Sequence, residues 1–413
     1  MALTSLIVSV AVAVQSVSPL NPVAATDAYL ATVSVAARAR SDAYFEGSYW
    51  LILWNAAVTT AVAWALLQFG VVARLSTRAA ALARGRRAGR AFLFAFLYLA
   101  LTGVLTLPWS AYVGWGREHQ YGMSNQSLAA WTGEWLLGTV IGTFLGALAA
   151  LALLTLYRKL PRSWWAWGTL ASGLFLLVGL LLAPVFVQPL FNRYTPMAPS
   201  PLRTQILQMA QANGVPADNV LVVDASRQTK RISANVAGVG PTVRVALNDN
   251  LLNRTSPAEV RAVMGHELGH YVLNHTLSLL VAFTLIAGLF LIAVDRATPW
   301  LVARYGGGWG INGRDDPAML APALIVATAL AVPLTPVTNS VVRFHESQAD
   351  YFGINASRAP DGWARVSLKL GEYRKLEPSP LEEAIFFDHP SGRTRILMGM
   401  RWKAHHAEEV DVD

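Results

Sequence analysis

The 413-residue sequence contains no cysteine. Disulfides and thiolate metal sites are therefore excluded, and any metal must be held by histidine and carboxylate side chains. Charge is scarce too. Asp, Glu, Lys and Arg make up 14% of the chain, against about 25% in an ordinary soluble domain. Only five lysines stand beside 28 arginines. Apolar residues fill the space: 54% of the chain is hydrophobic and the mean hydropathy is +0.39. This excludes a disordered protein and argues against a plain cytosolic enzyme. It points to a polytopic membrane protein with some folded mass outside the bilayer. The formal net charge is +8, but the arginines gather beside apolar runs, the pattern of anchoring at a membrane interface. No motif supports a nucleic-acid partner.

Runs of about 20 apolar residues span a bilayer as a helix. Six are present: Trp50–Leu75, Ala91–Val113, Trp135–Tyr157, Trp165–Val187, Leu277–Val294 and Met319–Val342. The last holds Pro333 and Pro336, so a kink or an early end is expected. The first 20 residues are a seventh candidate. Leu3–Val14 is apolar but short, and fits either a signal peptide ending near Ala24–Ala25 or a short first span. The chain thus divides into residues 1–30 (signal peptide or first membrane helix), a membrane domain over 31–190, and a domain over 191–413. The last includes the spans at 277–294 and 319–342.

Arg74, Arg78, Arg84, Arg86, Arg87 and Arg90 follow the first long run, and Arg158, Lys159 and Arg162 follow the third. By the positive-inside rule these loops are cytoplasmic, and alternation puts the polar stretch Gln188–His275 on the outer face. That stretch reads as mixed α and β. Pro201–Asn213 has helical spacing and ends at Gly214. Asn219–Val223 and Thr242–Leu247 alternate like strands, with Gly238 and Gly240 between them. Ser256-Pro257-Ala258-Glu259 fits a capping box opening a helix that runs on to His275.

That helix carries His266-Glu267-Leu268-Gly269-His270. Histidines at i and i+4 project from one helical face and can reach one ion. The Glu beside the first can address a water there as general base. With 8 His and 12 Glu in the chain, chance produces such a match in roughly 0.5% of sequences this long. A solvated surface helix with two histidines is the alternative, but apolar Val263, Met264, Leu268 and Val272 and the flanking spans disfavour it. A catalytic zinc needs a third protein ligand and an open position. On a continuous helix His275 lies about 140° around from His270 and points away. Glu346, 76 residues beyond His270, is the better candidate. Arg343, Glu346 and Asp350 are spaced to share a helical face, and Asp350 can accept the outer N–H of a ligating histidine. The alternative is a solvated charged turn capping a membrane helix. His345 points elsewhere on that helix. A third element, Asp388-His389-Pro390, is weak alone. A His or Arg near the ion can stabilise the oxyanion of hydrolysis.

HExxH at His266–His270, Arg-x-x-Glu-x-x-Ala-Asp over Arg343–Asp350, and His389-Pro390 with Arg395 six residues on resemble, in this order, the type I CAAX prenyl protease family. These are integral-membrane zinc endopeptidases of the gluzincin kind. Tyr44–Tyr49, Leu107–Ser110 and Glu118–Gly122 look like the family's N-terminal half. The resemblance covers roughly residues 40–400. It implies a mainly α polytopic bundle of about seven spans enclosing a chamber, with an inserted α+β gluzincin-type protease domain. It implies one zinc ion held by His266, His270 and Glu346, with Glu267 as base, Asp350 behind the ligands, and His389 and Arg395 as transition-state or substrate groups. Arg343 and Asn339 fall in the supporting set. It also implies strand addition of the substrate along Arg231–Gly238. The family's Asn-Ala pair there is Ser233-Ala234 in this chain, with Asn235 one position on. The implied partners are the lipid bilayer and a peptide or protein substrate, prenylated or similarly lipophilic. The implied membrane is a bacterial inner or ER-type one. The family's catalytic domain usually faces the cytosol, whereas the arginine count puts this one outside. Two rival functions stand beside CAAX processing: a quality-control protease acting on unprenylated membrane proteins, and a non-catalytic scaffold or transporter with structural zinc. An intact Glu267 and only three good ligands argue against the second rival, because structural zinc usually has four.

Overall fold

A computed structural model describes residues 20–238 and 243–406. The segment read as a signal peptide or first span, Leu3–Val14, lies outside the described residues. Four long helices come first: α2 (Val35–Gln68), α4 (Arg87–Ala111), α6 (Leu128–Lys159) and α7 (Trp164–Leu182). Before and between them lie α1 (Pro22–Ala31), α3 (Val71–Ala83) and the short α5 (Arg117–Gln120). A polar domain follows, with β1 (Tyr194–Pro196), α8 (Pro201–Ala212), β2 (Val220–Val223), β3 (Ala234–Ala237), β4 (Arg244–Asn248), α9 (Asp249–Arg254) and α10 (Pro257–Val272). Two more long helices, α11 (His275–Tyr305) and α12 (Leu320–Ser357), precede α13 (Pro360–Leu370), α14 (Pro380–Phe386) and α15 (Gly392–His405).

Six of these helical stretches are long and apolar enough to cross a membrane, and they begin at Val35, Arg87, Leu128, Trp164, His275 and Pro317. They overlap the six apolar runs, but the first begins at Val35 and ends at Gln68, and Gly70 at φ +66° breaks the helix before Leu75. Their outer surfaces are apolar: Leu170, Leu174, Leu181, Leu285 and Leu289 are exposed, which suits hydrocarbon rather than water. The sequence underestimates the last two. α11 continues through Pro299 to Tyr305, and α12 runs 38 residues through both Pro333 and Pro336 without ending. Each proline frees the carbonyl four residues earlier, a loss that neighbouring helices and threonine hydroxyls make tolerable in membrane helices. This continuity carries Glu346 and Asp350 on the same rigid rod that crosses the bilayer.

The polar domain is built on a sheet of order β1-β2-β4-β3. β2 and β4 are parallel, with Val220 opposite Val245. β3 is antiparallel to β4, with Ala234 opposite Leu247, and forms an open edge. Ile206, Val245, Leu247, Met264, Leu268 and Ile354 are fully buried between sheet and helices. The capping box that opens α10 forms as the sequence requires: Ser256 N donates to Glu259 Oε2 at 2.7 Å and Glu259 N donates to Ser256 Oγ. α1 docks on the far side of this domain. Leu30 is buried against Ile396 and Met400, and Tyr29 donates to Asp361 at 2.6 Å. Ala24–Ala25 therefore sits inside a packed helix.

The arginine-rich ends of α4 and α6 and the start of α12 share one end of the bundle. Glu346 is 26 residues along α12 from Leu320, about 40 Å at the helical rise. The polar domain and the arginine belt thus occupy opposite ends.

Candidate active site

The site forms where α10 crosses α12. At the crossing, Gly265 meets Gly353. A Cβ on Gly265 would lie 2.6 Å from the Gly353 carbonyl oxygen, and one on Gly353 would lie 2.6 Å from His266 N. The backbones touch, so side chains within two turns of the crossing on each helix face one another at short range.

His266, His270 and Glu346 converge there. His266 Nε2 and His270 Nε2 are 3.0 Å apart. Glu346 Oε2 is 3.2 Å from His266 Nε2, and Glu346 Oε1 is 3.4 Å from His270 Nε2. Ligands held tetrahedrally at about 2.0–2.1 Å from a zinc ion sit roughly 3.3 Å from each other. The three donors fit such an ion, and three protein donors leave a position open.

The outer atoms of the ligand set are also held. His266 Nδ1 lies 2.7 Å from Asp350 Oδ1. Asp350 is fully buried and accepts from Arg395 Nε at 2.8 Å and a terminal nitrogen at 2.9 Å, a bidentate pair. Arg395 also reaches Glu346 Oε2 at 3.4 Å. Burial works against the Arg395 charge, but Asp350 and Glu346 outweigh it and raise its pKa further. His389 Nε2 is 3.1 Å from Glu346 Oε2, and its Nδ1 is 2.7 Å from Asp388. Burial lowers the His389 pKa, with Asp388 opposing. Glu267 lines the cavity beside His266, and burial pushes its carboxyl up to about 7, a range suited to a proton carrier near neutral pH.

The cavity holds about 170 Å³ and is walled by Ser233 and Ala234 of the edge strand together with Glu267, Arg374, His389 and Arg395. Asn235 is on β3, opposite Ala246, and is not part of that wall. Ser233 exchanges two hydrogen bonds with Asn248, which fixes the start of the strand. Arg343 and Asn339 do not join the donor cluster, contrary to the shared face expected for Arg343. Asn339 Nδ2 donates to Ile385 O at 2.9 Å, and Arg343 donates to Glu383 O at 2.9 Å and to Phe387 O. They clamp the segment that delivers His389.

The expectation for His275 is corrected. It assumed one helix through residue 275, but α10 ends at Val272 and Asn274, at φ +54°, turns the chain. His275 therefore swings back, its Nδ1 2.9 Å from His270 Nδ1 and its Nε2 3.2 Å from Gln348 Oε1. With His270 Nε2 facing the other donors, its Nδ1–H donates to His275, whose Nε2–H donates to Gln348 on α12. Replacing His275 with Ala is expected to weaken metal affinity about 10- to 100-fold, read by competition against a chelator. Unchanged affinity would remove His275 from the site. Arg374 was also missed. Its guanidinium is 3.4 Å from His389 Nε2, and no local spacing in the sequence announces it.

Residues 198–398 match the family model for peptidase family M48, and residues 25–193 match that for the CAAX prenyl protease N-terminal region with five membrane helices. The chain belongs to the type I CAAX prenyl protease family. Among its relatives, the Bacillus subtilis metalloprotease YhfN is 28% identical over 305 residues, covering 73% of this chain and 71% of that protein. The CAAX prenyl protease 1 homolog of Arabidopsis thaliana is 29% identical over 306 residues, covering 70% of each. The fold matches the crystal structure of S. mikatae Ste24p with a TM-score of 0.73 at 19% identity, covering 89% of each chain. As a type I CAAX prenyl protease family member, the protein is an integral, multi-pass membrane metalloprotease.

Proposed function

We propose that this chain is a zinc endopeptidase that cleaves near the C terminus of lipophilic, CAAX-type substrates. The observation that carries the reading is the convergence of His266, His270 and Glu346 beside Glu267, with an open strand edge in the same cavity wall. Zinc suits two imidazoles and one carboxylate, and when bound it polarises a carbonyl and acidifies water. The chain's own groups do the rest. The free edge of β3 takes the substrate backbone as an added strand beside Ser233 and Ala234. Glu267 accepts the proton of the attacking water and returns it to the leaving amine. His389 faces the donor cluster, and in its protonated form, with Nδ1–H held by Asp388, its Nε2–H is the donor to the oxyanion. Arg395 and Asp350 act as positioning residues, locking His266 and Glu346 against each other.

A matched pair of CAAX peptides, one farnesylated and one bare, tests the substrate class. Cleavage position is read by mass, with Glu267→Gln protein as the blank. Cleavage confined to the farnesylated peptide, with release of its last three residues, is the expected result. Equal cleavage of both, or cuts at scattered apolar sites, would replace CAAX processing with quality-control proteolysis.

A further inference from the structure

At the opposite end of the bundle from the donor cluster, two cavities meet. One holds about 220 Å³ and is lined by Arg87, Arg90, Arg158 and Arg314 together with Asp315 and Asp316. Four guanidiniums against two carboxylates leave it formally positive by two. Asp316 is buried and already used, accepting from Ser76 at 2.7 Å and Arg90 at 3.1 Å. Arg314 donates to Pro161 O and lies 3.9 Å from Asp295. Arg87 and Arg158 have no hydrogen-bond or ion-pair partner among the described residues, and Arg90 Nε is buried without one. Donors so placed favour an anion with several acceptor oxygens.

The second cavity, also about 220 Å³, is apolar and runs between α6, α7, α11 and α12. Leu153, Phe290, Leu291 and Leu324 form much of its wall. Leu154 lines both cavities. The Arg314 guanidinium, in the first, lies 3.8 Å from the ring centre of Tyr157, in the second. Trp164, which also lines the apolar slot, donates to Asp295 at 2.7 Å. Tyr and Trp rings bonded to polar groups in this way mark the level of lipid headgroups, with arginines just beyond and hydrocarbon below.

We propose that this end of the bundle binds one anionic phospholipid, its phosphate among Arg87, Arg90 and Arg158 and an acyl chain in the slot below Leu154. A zwitterionic lipid brings a cationic ammonium beside its phosphate and so does not offset the net positive charge of the pocket, and a free phosphate leaves the slot unused. Basic pockets between membrane helices hold anionic headgroups for the same electrostatic reason. The site is remote from the donor cluster and does not depend on the proteolytic reading.

Native mass spectrometry of the full chain in neutral detergent tests this. Dioleoylphosphatidylglycerol is the anionic probe, dioleoylphosphatidylcholine the neutral one and inorganic phosphate the headgroup alone. Wild-type protein is expected to retain phosphatidylglycerol under activation that strips phosphatidylcholine. The double variant Arg87→Gln/Arg158→Gln is expected to weaken phosphatidylglycerol binding about 30-fold while eluting as the wild type on size exclusion. Leu154→Trp, which narrows the junction without changing charge, is expected to weaken it as well. Equal retention of the two lipids, or undiminished phosphatidylglycerol binding in the double variant, would overturn the proposal. Displacement by inorganic phosphate as effective as by lipid would also overturn it, leaving an anion site only.

Discussion

Replacing Glu267 with glutamine is expected to lower peptide cleavage by about 10³-fold or more while leaving the metal content unchanged. The side chain keeps its size and its place in the cavity wall, so binding and fold are preserved. What is lost is the ability to take a proton from water and hand it to the leaving amine. General acid–base assistance alone is worth about 10²–10⁴-fold, and here both transfers use the same carboxyl. The paired variant Glu346→Ala is expected to behave differently. It removes the one carboxylate of the three donors, which lies 3.2 and 3.4 Å from the two imidazoles, while the Arg395–Asp350 pair stays in place. Metal should be lost on dialysis, and cleavage with it. Metal analysis and cleavage assays on the two proteins separate the roles. Near-wild-type cleavage by Glu267→Gln would sink the general-base assignment, and full metal retention by Glu346→Ala would remove Glu346 from the ligand set.

A valine at Gly265 is expected to abolish metal binding without touching any donor. The nearest obstacles to a Cβ there are backbone atoms of Gly353, at 2.6 and 3.1 Å, so no rotamer change relieves the clash. One helix must move away from the other. Overpacking of this kind costs about 1–3 kcal/mol of stability. The larger effect is geometric, because His266 and His270 ride on one helix and Glu346 and Asp350 on the other. A separation of about 0.5 Å is enough to loosen a preorganised donor set. Metal stoichiometry and thermal unfolding in detergent measure the two consequences together. Normal metal content in Gly265→Val protein would show that the close crossing does not assemble the site.

The parts of the site that were legible in the sequence are those written within one helix. His266, Glu267 and His270 announce themselves because i, i+4 spacing alone puts two imidazoles on one face. Ser256 and Glu259 announce the helix start because a capping box is a local hydrogen-bond exchange. The six spans are equally local, since length and apolarity suffice for a membrane helix. The pairing of Glu346 with Asp350 was readable as spacing, though its distance from the histidines was not. Prolines misled: Pro333 and Pro336 look like an end, yet the helix continues because a membrane bundle tolerates the freed carbonyls.

Tertiary structure was needed wherever the decisive contact crosses elements. The break at left-handed Asn274 turns the chain and brings His275 onto His270, whereas extrapolating one helix sends it away. Arg343 has the right spacing to join Glu346, but its guanidinium finds the carbonyls of Glu383 and Phe387 and holds the segment bearing His389 instead. Arg374 reaches His389 through the packing of the segment after α13. The glycine contact between α10 and α12 decides whether two histidines and a glutamate 76 residues apart ever share an ion. The arginines illustrate the same division. Their clustering beside apolar runs is a property of composition, readable as interface anchoring. Their convergence from α4, α6 and the loop before α12 around one cavity depends on how these segments pack, and no local period in the chain encodes that.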